Sequence, residues 1–192
     1  AVSGYAWSEN IGWISFSNTT DGSAKQYGVN IDPITGNFSG YAWSDNIGWI
    51  NFAPLGFAPT IPDTDIANHH GGKLEGNMIT GWARACAGTT NGDCTGSSRI
   101  DGWDGWIKLS GTSVLSTYGV LINPTTGNFS GYAWGSDVVG WINFSPTGTI
   151  NDVHITVDTT NQGTEEPVTC NHNNKCDAGE TLLNCPQDCK GK

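Results

Sequence analysis

Charged side chains, and positive ones above all, are scarce in this sequence. Asp, Glu, Lys and Arg make up 14% of its 192 residues, against about 25% in an average soluble protein. The 8 Lys and Arg face 18 Asp and Glu, so the formal net charge is −10 at pH 7. Because neutralising phosphates requires many cations, this composition argues against nucleic acid and anionic membrane surfaces as partners.

Long apolar segments are missing as well. An apolar stretch such as 138–144 is far shorter than the ~20 residues that span a bilayer, so we expect no membrane insertion. Apolar residues also never recur at the helical spacing i, i+3, i+4, i+7. The single Met, 9 Trp and 27 Gly complete a composition typical of β-rich extracellular proteins.

Catalytic motifs are absent too. The sequence contains no G-x-S-x-G, S-x-x-K or H-E-x-x-H motif and no Walker loop. Asp101 and Asp104 imitate a pair of catalytic carboxylates, but they lie in a Gly-containing corner, where Asp is an ordinary turn former. We therefore expect a protein that is not an enzyme, with a glycan-active or metal-dependent enzyme as the remaining alternative.

What the sequence has in abundance is internal repetition. Segments 27–54 and 118–146 are identical at 22 of 28 positions when Gly135 is treated as an insertion. Segment 3–16 is a third copy of the repeat core, and a fourth copy at 80–107 is interrupted by an insert rich in Gly, Thr and Asn. All nine Trp fall inside these four units, so the chain is a duplication of a duplication.

The repeat code is that of β-strands and tight turns. In the second unit, period-2 alternation puts Tyr41 and Trp43 on one face of a strand and Ala42 on the other. These patterns predict an all-β fold, an antiparallel β-meander or sandwich built from the duplicated Trp-rich repeat, with a small disulfide-rich C-terminal module. Segment 150–157 alternates as well and predicts one more strand. The predicted domains are two β-repeat halves, a linker and a Cys-rich module, at 1–61, 62–157, 158–169 and 170–192.

The recurring Trp allow two interpretations. Exposed indoles on a rigid sheet can stack on sugar rings, but large side chains repeated in small, Gly-rich units favour core packing between sheets, which we expect for most of them. Trp103 has no counterpart in the other units, so it is the candidate surface contact to a ligand. Arg84 occupies the position of a repeated Trp, and we expect it to pair with a nearby carboxylate in a structural role.

Six cysteines at short spacings indicate disulfides and an oxidising compartment. Cys86 and Cys94 flank the turn signal Asn91-Gly92 and predict a local disulfide. The other four cluster near the end of the chain, at Cys170, Cys176, Cys185 and Cys189. Because the chain also opens with Ala1 rather than Met, we expect a cleaved signal peptide and an extracellular or cell-surface location.

The cysteine-rich end carries a candidate metal site. So short a module cannot bury a core, so disulfides or a metal must hold it together. Hard oxygen ligands suited to calcium are supplied close together by Asn173, Asp177, Glu180 and Asp188. The EF-hand order is absent, and plain polar loops around two disulfides are the alternative. No C-x2-C pair is present, which disfavours zinc.

Four N-x-S/T sequons are candidate glycosylation sites. They begin at Asn18, Asn37, Asn128 and Asn143. Three of them belong to the repeat code, where we expect Asn and Ser to be surface residues of strands.

Two sequence signatures resemble known families. The runs GYAWSxNIGWI and GWARAC…DGWDGWIKLSG resemble a repeat of large secreted or surface-anchored bacterial proteins. The ending C-x5-C-D-x-G-E-T-x2-N-C-P-x-D-C resembles Cys-rich modules of secreted prokaryotic proteins that are thought to bind calcium. The first GYAW strand departs from the repeat, since Gly-Asn-Phe does not precede it. Both resemblances imply an extracellular protein and leave its activity open.

Low charge, duplication and disulfides together favour a structural role. We expect a self-assembling subunit of a surface fibre, appendage or layer, in which an N-terminal or C-terminal strand of one copy completes the sheet of the next. The partners would then be further copies of the same chain. The alternative is a carbohydrate-binding or adhesin module that uses exposed Trp to bind a glycan.

Overall fold

A computed structural model describes residues 1–55, 70–112 and 116–156. The regular secondary structure of these residues is almost entirely β-strand, and the strands pair antiparallel, which confirms the prediction of an antiparallel all-β fold. The strands are β1 (Val2–Ser3), β2 (Tyr5–Ser8), β3 (Gly12–Ser15), β4 (Val29–Ile31), β5 (Phe38–Ser44), β6 (Gly48–Asn51), β7 (Lys73–Glu75), β8 (Met78–Thr80), β9 (Trp82–Ala85), β10 (Trp106–Lys108), β11 (Ser110–Thr112), β12 (Thr117–Ile122), β13 (Phe129–Trp134), β14 (Trp141–Asn143) and β15 (His154–Ile155).

Helical structure is limited to short turns. In the described part of the chain, the helices are α1 (Asn18–Asp21) and α2 (Ser136–Val139), and a 3₁₀ turn covers Cys86–Gly88. Among the described residues, no helix has the length and apolar character needed to cross a membrane.

Four hairpins, one from each repeat unit, form a closed antiparallel barrel. We number them hairpin I (β2 and β3), hairpin II (β5 and β6), hairpin III (β9 and β10) and hairpin IV (β13 and β14). Adjacent hairpins also pair with each other, and IV returns to I, so the ring has no free edge. The residue pairs at the four joints include Ser15–Trp43, Asn51–Arg84, Lys108–Trp134 and Asn143–Trp7.

Two small outer sheets extend the long strands of hairpins II and IV. The N-terminal part of β5 pairs with β4, which continues to β1 and β15. The N-terminal part of β13 pairs with β12, which continues to β8 and β7 and also carries β11. The strand expected within 150–157 is thus β15, and Val2 of β1 lies opposite Ile155. The two strands expected to join neighbouring subunits pair with each other inside one chain.

The core lies inside the barrel and repeats with the units. Each hairpin turns an Ala from its first strand and an Ile from its second strand inward, and a larger apolar residue follows the Ile. All of these residues are at most 3% exposed. They are Ala6, Ile14 and Phe16 in hairpin I; Ala42, Ile50 and Phe52 in hairpin II; Ala83, Ile107 and Leu109 in hairpin III; and Ala133, Ile142 and Phe144 in hairpin IV. An eight-stranded barrel has an interior that side chains of this size just fill. Both predicted repeat halves contribute to this one core, within the compact unit Ala1–Val157.

A glycine stands where each long strand passes from an outer sheet into the barrel. Gly40 has φ +84°, and a Cβ built on it would lie 2.0 Å from the carbonyl oxygen of Gly28 in the neighbouring strand segment. The same oxygen accepts a hydrogen bond from the Tyr41 amide at 3.0 Å. Gly131 repeats this arrangement, with φ +82° and a Cβ 2.1 Å from the oxygen of Gly119. Only Gly allows both the backbone turn and the close approach of the two strands.

Candidate functional site

The repeated Trp lie on the outer face of the barrel, so the prediction that most of them fill the core is wrong. Trp13 is 48% exposed and Trp141 is 44% exposed. Their counterparts in hairpins I, II and IV are half-buried: Trp7, Trp43, Trp49 and Trp134. The alternating Ala and Ile already fill the small interior, so the bulky side chains of each strand must face outward.

Three hairpins carry a cross-strand pair of indoles on this outer face. Trp7 and Trp13 lie opposite each other, with ring centroids 4.8 Å apart. The equivalent pairs are Trp43–Trp49 at 4.6 Å and Trp134–Trp141 at 4.9 Å. Such inclined aromatic contacts favour one ring orientation, so each pair forms a stable apolar surface next to solvent.

Hairpin III replaces the indole pair with an arginine on an indole. The Arg84 guanidinium carbon lies 4.6 Å from the centre of the Trp106 ring, and Arg84 is 1% exposed. It donates hydrogen bonds to the carbonyl oxygens of Asp104 at 3.0 Å and Gly96 at 3.1 Å, and to Ser98 Oγ. The prediction that Arg84 pairs with a carboxylate is therefore wrong, because its guanidinium N–H groups donate to the backbone oxygens of Asp104 and Gly96 instead. Burial lowers the pKa of Arg84, and the nearby carboxylate of Asp104 partly offsets this effect.

The insert folds against the barrel rather than away from it. The predicted Cys86–Cys94 disulfide is confirmed. Trp103 is half-buried and packs against the barrel core, with its Nε1 enclosed and without a hydrogen-bond partner among the described residues. Trp103 thus does not offer the open ring expected of a ligand contact. Asp101 and Asp104 accept hydrogen bonds from the amides of Trp103 and Trp106, as turn-forming Asp residues do.

Removing the Cys86–Cys94 disulfide should destabilise the barrel. We expect the double variant Cys86→Ser, Cys94→Ser to lose about 2–3 kcal/mol of unfolding free energy, because a short loop is no longer closed in the unfolded chain. Urea unfolding measures this as a lower midpoint with an unchanged slope. An unchanged midpoint would show that the insert needs no covalent closure.

A groove of about 810 Å³ runs over the outer face of hairpin I, and we call it the Trp13 groove. Its aromatic lining consists of Tyr5, Trp13 and Trp43, and its acidic lining consists of Asp21, Asp45 and Asp152. The remaining lining residues are small and polar: Ser15, Ser23, Thr147 and Asn151. The volume lies within the range of small-molecule binding clefts, and exposed apolar surface with a polar rim is typical of a binding site.

Hydrogen bonds hold the aromatic lining in place. Trp43 Nε1 donates to Asp45 Oδ1 at 2.9 Å, and Trp7 Nε1 donates to Glu9 at 3.3 Å. In both cases the acid follows the Trp by two residues and is the first residue of the hairpin turn, from which its carboxylate reaches the indole N–H. This W-S-[DE] spacing is visible in the sequence, and our sequence analysis missed it. Tyr5 packs edge-on against Trp13, with ring centroids 5.9 Å apart, and donates its hydroxyl to the Thr20 carbonyl.

The three carboxylates of the groove differ in their surroundings. Asp152 is 6% exposed and accepts hydrogen bonds from Thr147 and Thr149, so it supports the loop that forms one wall. Asp21 and Asp45 are exposed. The pKa of the Tyr5 hydroxyl is raised, first by burial and then by the negative charges of these two carboxylates. The charged residues of the described groove lining are therefore all acidic.

A second groove, of about 800 Å³, lies over hairpin III. Trp82, Trp106 and Trp134 line it together with Lys108 and Asp104. Trp82 and Trp106 are 6% and 3% exposed and form a cluster separate from the barrel core. Lys108 Nζ lies 5.3 Å from the centre of the Trp82 ring. The indoles of this groove are thus largely covered by the chain itself.

The remaining predicted site residues fall into two groups. Asn37 and Asn128 are exposed, whereas Asn18 and Asn143 are half-buried, and Asn143 Oδ1 accepts a hydrogen bond from the Ser145 amide. The second group lies outside the described residues and comprises Cys170, Cys176, Cys185 and Cys189 with the calcium candidates Asn173, Asp177, Glu180 and Asp188. Within the described ranges, no three His, Cys, Asp or Glu side chains gather as a metal site would require.

Comparison with known proteins returned no match to a family model, a curated protein or a solved structure. The resemblance to secreted repeat proteins therefore stays a prediction.

Proposed function

We propose that this chain is an extracellular carbohydrate-binding protein and that the Trp13 groove binds the sugar. The observation that carries the proposal is the position of Trp13, whose indole is 48% exposed inside a groove with carboxylate and hydroxyl groups. A sugar ring has an apolar C–H face and a polar edge. The flat indole would contact the face, and the acceptors of the groove would bind the hydroxyl groups at the edge.

The groove is suited to binding because its parts are already ordered. The Trp43 ring is held by Asp45, and the Trp13 ring is held between Tyr5 and Trp7. A ligand would therefore spend little free energy on ordering these side chains. The Cys86–Cys94 disulfide supports the proposed extracellular location, and a calcium-binding C-terminal module remains part of the proposal.

A self-assembling building block is the second candidate function. Among the described strands, β11 pairs with β12 alone, so its other side can accept a strand from another copy. The junction proposed first, through β1 or β15, would require the pairing between those two strands to open.

Replacing Trp13 by alanine tests the carbohydrate proposal. We expect affinity for the best ligand of an oligosaccharide panel to fall about 30-fold, since truncation of a central Trp costs about 2 kcal/mol. Titration calorimetry on the full chain measures this change.

Trp141→Ala is the matched control for this experiment. Trp141 is 44% exposed and belongs to an equivalent indole pair, but it lies on hairpin IV outside the groove. Its truncation should leave the affinity unchanged. Equal losses in both variants, or no binding by the unmodified chain, would contradict the proposal.

A further inference from the structure

We propose that the Trp13 groove selects a glycan with free amino groups, such as a glucosamine oligomer, and holds the ammonium group between Trp13 and Asp45. This inference rests on the carbohydrate-binding function proposed above. It goes further because it names the chemical class of the sugar. Two independent features of the structure carry it, namely the charge of the groove and the way the chain covers its other indoles.

The first feature is the one-sided charge of the groove. Its described lining includes three carboxylates, Asp21, Asp45 and Asp152, and no Lys, Arg or His. The groove over hairpin III differs, because Lys108 there faces the same space as Asp104. Opposite charge near a partly desolvated carboxylate favours the charged form of both groups. A cationic ligand therefore fits the Trp13 groove better than a neutral or anionic one.

Asp45 is the carboxylate that remains available to a ligand. Asp152 already accepts hydrogen bonds from the amides of Thr147 and Thr149. Asp21 accepts hydrogen bonds from the Ser23 amide and the Tyr27 hydroxyl. Asp45 Oδ1 accepts the Trp43 indole N–H, and Oδ2 has no hydrogen-bond partner among the described residues. Asp45 thus presents a fixed, exposed oxygen next to an aromatic ring.

The second feature is that side chains of the protein itself contact the rings of the indoles equivalent to Trp13. Trp13 lies near the start of the second strand of hairpin I, as Trp49 and Trp106 do in hairpins II and III. Lys25 Nζ lies 4.8 Å from the centre of the Trp49 ring, and Arg84 lies 4.6 Å from that of Trp106. In these hairpins a cation of the chain itself occupies the face of the indole.

Trp13 has no such cover among the described residues. Its ring contacts are Tyr5 and Trp7, both edge-on. The equivalent indole of hairpin IV, Trp141, is also without a cation among these residues, but three aromatic rings contact it, namely those of Tyr118, Tyr132 and Trp134. Among the described residues, Trp13 thus has neither the cation that lies over Trp49 and Trp106 nor the third aromatic contact of Trp141, and it lies beside unneutralised carboxylates. A ligand ammonium group would take the place that Lys25 and Arg84 take elsewhere.

The test compares three tetrasaccharides that differ in charge. Calorimetric titrations of the full chain with glucosamine, N-acetylglucosamine and glucose tetramers should show at least 10-fold tighter binding of the glucosamine tetramer. This preference should shrink as salt is raised, because screening weakens the charge contribution. Asp45→Asn, which keeps the shape of the side chain, should remove most of the preference.

Glu9→Gln is the matched control variant. Glu9 also accepts an indole N–H, from Trp7, but does not line the groove, so its neutralisation should leave the preference intact. Equal binding of all three tetramers would overturn this inference and leave the carbohydrate function standing. No binding of any sugar would overturn both. Binding of a lysine pentapeptide as tight as that of the glucosamine tetramer would overturn the assignment to a sugar.

Discussion

Gly40→Ala is expected to lower the free energy of unfolding by about 3–4 kcal/mol. An L side chain at positive φ costs about 1–2 kcal/mol, and forcing an extra methyl group into a filled space costs about 1–3 kcal/mol. Here the methyl group would lie 2.0 Å from the Gly28 carbonyl oxygen, which is backbone and cannot rotate away. The β4 segment would have to separate from β5 at the point where β5 enters the barrel.

Gly22→Ala separates the two contributions to this loss. Gly22 has φ +71°, but a Cβ there would meet no atom within 4 Å. This variant should therefore lose only the conformational part, about 1 kcal/mol. Urea unfolding of both variants gives the comparison. Equal losses would mean that the close approach of the strands contributes nothing. If Gly40→Ala yields no folded protein, Gly40→Ser and Gly131→Ala should fail in the same way, while Gly22→Ala folds.

Arg84→Met is expected to cost a similar amount, about 3–4 kcal/mol. Methionine replaces the aliphatic part of the Arg84 side chain but ends where the guanidinium group begins, so it leaves a small cavity and cannot donate to the carbonyl oxygens of Gly96 and Asp104. Each buried acceptor that loses its partner costs about 1–3 kcal/mol. The contact between the guanidinium group and the Trp106 ring is lost as well.

Arg99→Met is the control for this second prediction. Arg99 belongs to the same insert, but it is exposed and pairs with Asp101 at the surface. Exposed ion pairs contribute little to stability, so this variant should unfold at nearly the same urea concentration as the unmodified chain. A loss in Arg84→Met no larger than that in Arg99→Met would contradict the structural role of Arg84.

The strand pattern of the repeat could be read from the sequence. Alternation correctly put Tyr41 and Trp43 on one face and Ala42 on the other, and Ala42 is fully buried. The period-2 alternation of a strand shows which residues share a face, but it does not show which face points into the barrel. That choice depends on the space available, and a closed eight-stranded barrel holds Ala and Ile where a wider sandwich would hold Trp. The acid two residues after Trp43 was the local sign that this face meets water.

The closure of the barrel and the Trp13 groove could not be predicted from the sequence, for a different reason. The joint between Lys108 and Trp134 brings together strands from separate units, and no short-range pattern encodes it. The Trp13 groove combines residues of hairpins I and II with Asp21, Thr147 and Asp152 from distant turns. Their sequence neighbourhoods look like ordinary loops. The sequence supports the general idea of exposed Trp on a sheet, whereas the particular Trp and its acidic neighbours follow from tertiary structure.

The ring of hairpins is not equally strong around its circumference. Among the described residues, three of its joints are held by two strand-paired positions each, whereas hairpins III and IV share one such position, Lys108–Trp134. Local unfolding of a barrel is expected to begin where the fewest strand pairings have to break. This joint borders the unit that carries the insert and lies opposite the joint between hairpins I and II, next to which the Trp13 groove lies, so a loss of pairing there would leave the groove residues of hairpins I and II in place.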